Sequence, residues 1–147
     1  MISIVTATEE DIPRILEIER DSISPPWTHG ALLGEIYRDD SFFALARESA
    51  DIKGFVILRR MADEGELLQI AVDKDARRRG IADALIAAAI ENGAEQDLIS
   101  MFLEVRESNA AAIALYGKHG FKPVRKRKDY YGDPVEDAVV MVRDLSR

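Results

Sequence analysis

The first forty residues alternate between apolar and polar positions in a way that predicts one strand and two helices. Residues 2–7 (ISIVTA) are apolar enough for a strand, and Thr8 with Asp11 resembles a capping box that begins a helix. The segment SPPW (24–27) then interrupts the chain, and Thr28 can cap a second helix. The apolar faces of the two helices are expected to carry Ile12, Ile15 and Leu16 in the first, and Leu32, Leu33, Ile36 and Tyr37 in the second.

Three apolar segments follow in close succession, and the short polar turns between them indicate an antiparallel meander. The segments are SFFALARE (41–48), FVILRRM (55–61) and ELLQIAV (66–72). The intervening residues 50–54 (ADIKG) and 63–65 (DEG) contain the glycine and aspartate that favour turns. Strands joined by so few residues pair most simply with their sequence neighbours in the antiparallel sense.

The second half of the chain alternates strands with helices, which is typical of parallel crossover connections. The pattern predicts helices over 80–93 and 109–118, a strand over 101–105 (MFLEV), and strands over 121–127 and 137–143. Such a series places parallel strands in one sheet. We therefore expect an α/β (α+β) fold, with a mixed central sheet of about seven strands and about four helices. Residues 1–147 are expected to form a single domain.

Composition is that of a soluble globular protein. Of the 147 residues, 47% are apolar and 32% are charged, so the chain can bury a core. The absence of cysteine excludes disulfides, thiolate metal sites and a cysteine nucleophile, and it suits a reducing cytoplasm. The N-terminal residues lack a signal-peptide pattern, and the longest apolar run (84–90) is far shorter than the roughly 20 residues that span a bilayer. We expect a cytoplasmic protein without a membrane partner.

Charge is distributed unevenly along the chain, whose formal net charge is −7. Residues 1–75 contain 8 Lys and Arg against 16 Asp and Glu, whereas residues 117–128 (GKHGFKPVRKRK) contain six cations and no acid. An acidic half opposes non-specific nucleic-acid binding and favours a cationic partner. The basic run is most simply a solvated strand edge. Direct nucleic-acid binding through residues 77–79 and 118–128 is a weaker alternative that requires a steep salt dependence.

The segment DKDARRRGIADALI (73–86) follows a predicted strand and opens a predicted helix. The first turn of a helix has unpaired N–H groups and a positive partial charge. Gly80 and Ala82 leave room for a ligand close to this backbone. An anion there would offset the repulsion between the helix dipole and Arg77, Arg78 and Arg79. The spacing matches neither a Walker-type phosphate loop nor a dinucleotide fingerprint, and a solvated charge run is the alternative interpretation.

Glu104 and Tyr116 are the residues best suited to catalysis. A carboxylate in the middle of a short apolar strand is costly unless it is paired or acts as a base. Asn109 occupies a helix N-cap position, and Ile113 and Tyr116 follow on the same face. A carboxylate in such a position can act as a general base, and a tyrosine hydroxyl can donate a proton. Each residue also has a structural explanation: an exposed or Arg-paired carboxylate, a helix cap and a core aromatic.

Three long segments of this sequence resemble the GCN5-related N-acetyltransferase (GNAT) family. RRRGIA (77–82) is similar to the family's Gln/Arg-x-x-Gly-x-Gly/Ala segment, which binds the pyrophosphate of acetyl-CoA, with Ala82 at a position that is often glycine. LLQIAVDKDARRRGIADALI, LEVRESNAAAIALYGKHGF and DYYGDPVEDAVVMV resemble the bacterial RimI branch, the ribosomal-protein-alanine N-acetyltransferases. The likeness extends along essentially the entire chain, and three segments in this order and spacing are specific.

The resemblance implies an acetyl-CoA-dependent enzyme without a metal. Glu104 matches the family's general base, acting directly or through a water, and Tyr116 matches its general acid. Trp27, within PPWT (25–28), and the pair Tyr130 and Tyr131 match segments that flank the acceptor, although turn and sheet packing explain them equally well. The residues expected to contact the cofactor are Ile70, Ala71, Val72, Arg77, Arg78, Arg79, Gly80, Ile81, Ala82, Asp83 and Asn109.

The resemblance also implies an acceptor, the N-terminal alanine of protein eighteen of the small ribosomal subunit. An acidic N-terminal half would attract such a cationic protein. Residues 29–40 diverge most from the RimI pattern, so another protein N-terminus, a lysine or a small amine is an alternative acceptor. Glu136 and Asp137 either hold positive groups of the acceptor or form an edge-strand charge pair. A catalytically silent CoA-binding sensor is the alternative of another class, and a monomer is compatible with the sequence.

Overall fold

In the computed structural model, residues 1–22 and 26–146 are described, and they form seven strands and four α-helices. Single turns of 3-10 helix occur at Glu9–Asp11 and Lys74–Ala76. In chain order the elements are β1 (Ile2–Thr6), α1 (Ile12–Arg20), α2 (His29–Ile36), β2 (Ser41–Glu48), β3 (Asp51–Met61), β4 (Glu64–Val72), α3 (Ile81–Glu95), β5 (Ser100–Arg106), α4 (Ala110–Lys118), β6 (Lys122–Gly132) and β7 (Val135–Asp144).

The strands of the described residues form one mixed sheet in the order β1-β2-β3-β4-β5-β7-β6. Strands β2 to β4 form the predicted antiparallel meander, and β1 pairs antiparallel with β2 at its outer edge. β4 and β5 are parallel, which confirms the first predicted crossover, through α3. The second crossover, through α4, also places β6 parallel to β5, but β7 lies between them and pairs antiparallel with both. The predicted mixed sheet is thus confirmed.

The predicted caps are observed at Thr8 and Thr28, but the Thr8 contacts begin the 3-10 turn Glu9–Asp11 that precedes α1 rather than α1 itself. The Thr8 backbone N–H and hydroxyl donate to Asp11 Oδ2, at 2.8 and 3.0 Å, which fixes the turn that leads into α1. Thr28 Oγ1 accepts from an N–H of the first turn of α2 at 3.1 Å. Tyr37 differs from the prediction, because α2 ends one residue before it and its exposed side chain donates to Glu9 Oε2 at 3.0 Å.

The two turns of the meander are shorter than the pattern predicts. β3 begins at Asp51 rather than at residue 55, and β4 begins at Glu64 rather than at residue 66. Two residues therefore connect β2 to β3, and two connect β3 to β4. One residue of each turn has a positive φ, namely Ser49 at 56° in the first and Ala62 at 54° in the second. Positive φ is typical of two-residue hairpins. Neither Ser49 nor Ala62 is glycine, the residue most typical of positive φ. The sequence pattern therefore favours longer turns that reach the glycines at positions 54 and 65.

Two apolar layers cover the faces of the sheet. On one face, α3 and Tyr116 of α4 pack against β2, β3, β5 and β7. On the other face, α1 and α2 pack against β2, β3 and the end of β4. Neighbouring strand residues serve opposite layers, as Leu45 faces α1 and α2 while Ala44 and Ala46 face α3. Within the described ranges, no helix has the length and apolar character needed to cross a membrane.

β6 is an edge strand, and ten of its eleven residues are exposed. It contains most of the basic run of residues 117–128, including Lys122, Arg125 and Lys128. On its inner side it pairs only with β7, and Pro123 removes one N–H donor from the strand. The prediction that this run is a solvated strand edge is confirmed.

β4 and β5 pair only where the two strands begin. Their parallel ladder joins residues 64–66 to residues 100–102. A bulge at Leu68 interrupts the pairing of β4 with β3, since residues 57 and 58 lie opposite residues 69 and 67. A bulge bends its strand, and the remainder of β4 therefore turns away from β5. The resulting gap in the middle of the sheet positions the functional site.

Gly54 of β3 makes a close approach that a larger residue would disturb. A Cβ at this position would lie 2.8 Å from the Ala71 carbonyl oxygen and 3.1 Å from Leu85 Cδ1. We expect Gly54→Ala to lower the free energy of unfolding by about 1–3 kcal/mol, because the backbone of β4 and a side chain of α3 must both shift. Urea denaturation followed by circular dichroism measures the change.

Gly34→Ala is the matched control. Gly34 lies inside α2, and a Cβ there would meet nothing within 4 Å. Alanine is a better helix former than glycine, so this variant should be unchanged or more stable by about 0.5–1 kcal/mol. Equal losses of stability in the two variants would contradict the close-approach explanation.

Candidate active site

The loop between β4 and α3 borders an open cavity of about 460 Å³, here called the α3 cavity. Asp73 Oδ1 accepts from the Asp75 N–H at 2.8 Å and shapes the start of the loop. Arg78 and Gly80 then adopt positive φ values of 64° and 78°, and α3 begins at Ile81. The lining residues are Ser22, Ile70, Ala71, Val72, Ala76, Arg77, Arg78, Gly80, Ile81, Ala82, Asp83, Asn109, Ala111, Ala112, Leu115 and Tyr116.

Gly80 is the N-cap of α3 rather than its first residue. Its positive φ favours glycine, while a Cβ there would meet nothing within 4 Å, so the space beside it is open. Among the residues that the structure describes, no side chain caps the first N–H groups of α3. These groups therefore face the α3 cavity as donors, and with the helix dipole they can hold an anion.

The three consecutive arginines point in different directions. Arg77 and Arg78 line the α3 cavity, and the Arg77 guanidinium donates to Ser22 Oγ at 3.1 Å. Arg79 does not line it, because its guanidinium donates to Glu48 Oε2 of β2 at 2.5 Å. The structure thus brings ten of the eleven predicted cofactor residues to one cavity and places Arg79 outside it. The ion pair with Glu48 is the physical reason for this departure.

Asp83 connects the two helices that border the α3 cavity. Its Oδ1 lies 2.8 Å from His119 Nε2 and 3.0 Å from Lys118 Nζ, at the end of α4. These contacts, with His119 foremost, lower the pKa of Asp83. The start of α3 and the end of α4 are therefore held together, which fixes the width of the cavity between them.

A second cavity of about 560 Å³, here called the β5 cavity, opens on the other side of the gap between β4 and β5. The two cavities share Ser22, Ile70, Asn109, Ala112 and Tyr116, so they adjoin, and the two together are here called the slot. The remaining residues that line the β5 cavity are Pro26, Trp27, Glu66, Leu67, Leu68, Gln69, Glu104, Val105, Arg106, Tyr130 and Tyr131.

Asn109 and Tyr116 lie where the two cavities meet. Asn109 Oδ1 accepts from the Ala112 N–H at 3.1 Å, so the predicted helix cap is confirmed. Tyr116 is 9% exposed, and its ring packs edge-on against Phe121 with centroids 6.0 Å apart. Burial, and to a lesser extent Tyr131, raises the pKa of Tyr116 to about 12. Its phenol therefore stays protonated at physiological pH and is a proton donor in the slot.

Glu104 projects from β5 into the β5 cavity with its side chain 12% exposed. Arg127 donates to Glu104 Oε2 at 2.7 Å, and the Tyr130 hydroxyl donates to Oε1 at 2.9 Å. The guanidinium of Arg127 also lies 4.6 Å from the centroid of the Tyr130 ring. The Arg-paired carboxylate considered from the sequence is thus observed. Each oxygen keeps a further lone pair, so Glu104 can still accept a proton or hold a water.

Glu66 is a second carboxylate in the β5 cavity, and the sequence pattern does not reveal it. In the sequence it is the polar first residue of ELLQIAV. Only the parallel register of β4 and β5, in which Glu66 lies opposite Phe102, brings it close to Glu104 on the same face of the sheet. Burial, followed by the charge of Glu104, raises the pKa of Glu66. A carboxylate whose pKa is raised toward neutrality is a better proton acceptor at neutral pH than an ordinary one.

Three further aromatic residues contribute to the wall of the β5 cavity. Trp27, Tyr130 and Tyr131 line it, whereas Pro25 lies outside the described residues. The two tyrosine rings contact edge-on with centroids 5.1 Å apart. The Arg106 guanidinium lies 4.4 Å from the Tyr131 ring centroid and donates to two carbonyl oxygens of the β6–β7 hairpin at 3.0 and 3.1 Å. Arg106 thereby fixes the hairpin that carries both tyrosines.

The carboxylates of Glu136 and Asp137 form hydrogen bonds within and next to the β6–β7 hairpin. Glu136 pairs with Arg106 at 3.3 Å and accepts from the Ser108 N–H at 2.6 Å. Asp137 Oδ1 accepts from the Asp129 N–H at 2.9 Å. Neither residue lines the β5 cavity, and β7 is an interior strand of the sheet. They therefore bind groups of the hairpin and of β5 rather than form an edge-strand charge pair.

The model of the acetyltransferase (GNAT) family matches residues 12–121 of this sequence. The chain belongs to this family. It is therefore an acetyl-CoA-dependent N-acetyltransferase, as the resemblance of its three segments implied. This result also removes the alternative of a catalytically silent sensor.

Relatives of this GNAT enzyme resemble it along nearly their whole length. The [ribosomal protein bS18]-alanine N-acetyltransferase of Salmonella typhimurium is 34% identical over an alignment of 148 positions, which covers 99% of this chain and 97% of that protein. The crystal structure of the ribosomal-protein-S18-alanine N-acetyltransferase from Escherichia coli matches with a TM-score of 0.92 at 32% identity, covering 100% of this chain and 96% of that one. Ard1 from Thermoplasma volcanium matches with a TM-score of 0.91 at 28% identity, covering 99% of each chain.

The α3 cavity suits acetyl-CoA, the cosubstrate of GNAT enzymes. The pyrophosphate can bind at the N-terminus of α3, where the free N–H groups follow Gly80. Arg77 and Arg78 lie beside this N-terminus. The edge of β4 over residues 70–72 has no ladder partner on the β5 side, so its backbone can pair with the amides of the pantetheine arm. Among the described residues, no group of three or more His, Asp or Glu side chains is placed to hold a metal ion.

Arg78 and Arg79 provide a matched test of which arginine faces the cofactor. Arg78 lines the α3 cavity, whereas Arg79 pairs with Glu48. We expect Arg78→Gln to weaken CoA binding about fivefold, since a partly exposed charge contact contributes on the order of 1 kcal/mol. Arg79→Gln should change the dissociation constant by about twofold at most.

Isothermal titration with CoA at low and high salt measures both constants. The difference between the variants should shrink as salt rises, because screening weakens the contact that Arg78 makes. A larger loss for Arg79→Gln than for Arg78→Gln would show that the arginines rearrange when CoA binds.

Proposed function

We propose that this enzyme transfers the acetyl group of acetyl-CoA to the N-terminal α-amino group of a ribosomal protein, namely the N-terminal alanine of protein bS18. The observation that carries the proposal is the slot of two adjoining cavities, in which Tyr116 lies between an end suited to an anion and an end with two carboxylates. The names of the full-length relatives in Salmonella typhimurium and Escherichia coli support this acceptor. We place the reaction in the cytoplasm, where ribosomal proteins are made.

Bound acetyl-CoA supplies a thioester carbonyl that an amine can attack. Glu104 accepts the proton that the attacking amine must lose, either directly or through a water held by the carboxylate. As the carbon–nitrogen bond forms, the carbon–sulfur bond breaks. Tyr116 then gives its phenolic proton to the departing thiolate, and its high pKa ensures that this proton is present before the reaction. Glu66 adds a second negative charge on the side from which the amine enters.

The β5 cavity suits an N-terminal amine in charge and in shape. The amine arrives as an ammonium group, which the carboxylates of Glu66 and Glu104 attract. Trp27, Tyr130 and Tyr131 provide flat apolar walls for the first residues of an extended peptide. The acidic balance of residues 1–75 would attract a cationic ribosomal protein over a longer range.

Peptides that differ only at their first residue test the acceptor. We expect a peptide with the bS18 N-terminal sequence to be acetylated at its α-amine, with kcat/KM falling at least about tenfold when the first residue is enlarged from alanine to leucine. The matched control has the same sequence with a blocked α-amine and one lysine. Mass spectrometry of the fragments locates the acetyl group. Equal rates on the lysine control and on the free α-amine would refute the proposed acceptor.

Substitutions in the slot test the roles of its proton-transfer groups. We expect Glu104→Gln and Tyr116→Phe each to lower kcat roughly 10²-fold, because each removes one proton transfer, while CoA affinity stays nearly constant. Glu66→Gln should act mainly on the acceptor KM, since Glu66 contributes charge. Steady-state kinetics with the alanine peptide, together with CoA titrations, measure these effects. If Glu66→Gln lowers kcat more than Glu104→Gln does, the general base is Glu66.

A further inference from the structure

Glu19 is a fully buried carboxylate in the last turn of α1. Burial raises its pKa, and an N–H from Trp27 acts in the opposite direction. Within the part of the chain that the structure describes, no lysine or arginine forms an ion pair with it. An unpaired buried charge is costly for a fold unless hydrogen bonds satisfy it. The contacts of Glu19 therefore indicate what it holds in place.

Glu19 belongs to a closed triangle of hydrogen bonds with Trp27 and Gln69. Glu19 Oε1 accepts from the Trp27 backbone N–H at 2.6 Å. With the Gln69 amide oriented so that both of its ends meet complementary groups, its NH₂ donates to Glu19 Oε2 at 2.6 Å, and its oxygen accepts from the Trp27 indole N–H. Three donors meet three acceptors, so every contact of the triangle is satisfied.

The triangle lies directly behind the wall of the β5 cavity. Trp27 and Gln69 both line this cavity, while Glu19 does not. Gln69 follows the bulge at Leu68, where β4 turns away from β5. Trp27 immediately precedes Thr28, the cap of α2. Glu19 therefore joins three parts of the site, which are the end of α1, the start of α2 and the bent part of β4.

We propose that Glu19 is a positioning residue for the acceptor, which acts by holding the Trp27 ring and the Gln69 amide as one rigid wall of the β5 cavity. The inference rests on the proposed function in that this cavity receives the acceptor. Glu19 itself touches neither substrate. Its removal should leave the α3 cavity, and hence the binding of acetyl-CoA, unchanged.

Glu19→Gln disturbs the triangle without changing its size. A glutamine at position 19 supplies one acceptor in place of two, so three contacts must be made with two acceptors. Whichever way the two amides turn, two N–H donors face each other at one contact, which is costly in a buried site. We expect the Trp27 side chain to leave its place, and the acceptor KM to rise about tenfold while the KM for acetyl-CoA stays within about twofold.

The exchange variant Glu19→Gln/Gln69→Glu restores the balance. The new glutamine at position 19 accepts from the Trp27 backbone and donates to position 69, where the second carboxylate oxygen accepts from the indole. Three donors again meet three acceptors, with the same net charge. This variant should bring the acceptor KM to no more than about threefold above wild type, since the carboxylate at position 69 also faces the cavity and adds to the attraction of Glu66 and Glu104 for the ammonium group. Gln69→Glu alone should resemble Glu19→Gln in its loss of the triangle, because two carboxylates then face each other.

Trp27 is the only tryptophan of the chain, so its fluorescence reports the triangle directly. We expect a red-shifted emission and stronger acrylamide quenching in Glu19→Gln, and wild-type values in the exchange variant. Glu17→Gln is the matched control, because Glu17 lies on the same helix with its side chain 59% exposed. It should behave as wild type in both measurements.

Two results would overturn the inference. One is wild-type fluorescence and acceptor KM in Glu19→Gln; the other is an exchange variant that folds but keeps a raised acceptor KM. If Glu19→Gln fails to fold, the exchange variant alone decides between these outcomes. If the proposed function is wrong, the wild-type enzyme will acetylate no N-terminal peptide, which differs from both of these results. The fluorescence of the variants then still tests the triangle.

Discussion

Only three residue pairs join β4 to β5, and the architecture of the site depends on this short ladder. In a continuous sheet, each central strand satisfies its backbone polar groups on both sides. Here the bulge at Leu68 ends the pairing early, so two central strands present unpaired edges to the interior of the protein. Those edges need partners, and the slot between them is therefore suited to a ligand with amide groups of its own. The backbone groups that a continuous sheet would use for strand pairing are thus the groups that are available to bind the ligand.

The slot has opposite electrostatic character at its two ends. The α3 cavity ends at an uncapped helix N-terminus with Arg77 and Arg78, which favours an anion. The β5 cavity contains Glu66 and Glu104, which favour a cation. Tyr116 lies between them in a buried, uncharged state. An anionic cofactor and a protonated amine can thus enter from opposite sides without passing each other, and their reacting groups meet beside the phenol.

The sequence predicts the fold well because each element has a local signal. The caps at Thr8 and Thr28, the strand alternation and the glycine before α3 are all readable within a few residues. The features that the sequence does not reveal depend on contacts between residues far apart in the chain. Glu66 is an ordinary strand residue until the pairing of β4 with β5 places it near Glu104, and Arg79 is an ordinary third arginine until Glu48 of β2 binds it. The roles proposed for Glu104 and Tyr116 combine residue chemistry with family resemblance, and the structure adds that both residues line the β5 cavity.

The basic run on β6 has a consequence for how copies of this protein behave beside one another. An edge strand presents unpaired backbone groups that could recruit the edge of a second molecule and extend the sheet. Here β6 is exposed along nearly all of its length and carries lysines and arginines, with Pro123 removing one of its donors. Two such edges would bring like charges face to face. In an otherwise acidic protein, this cluster of cations protects against aggregation through the sheet edge.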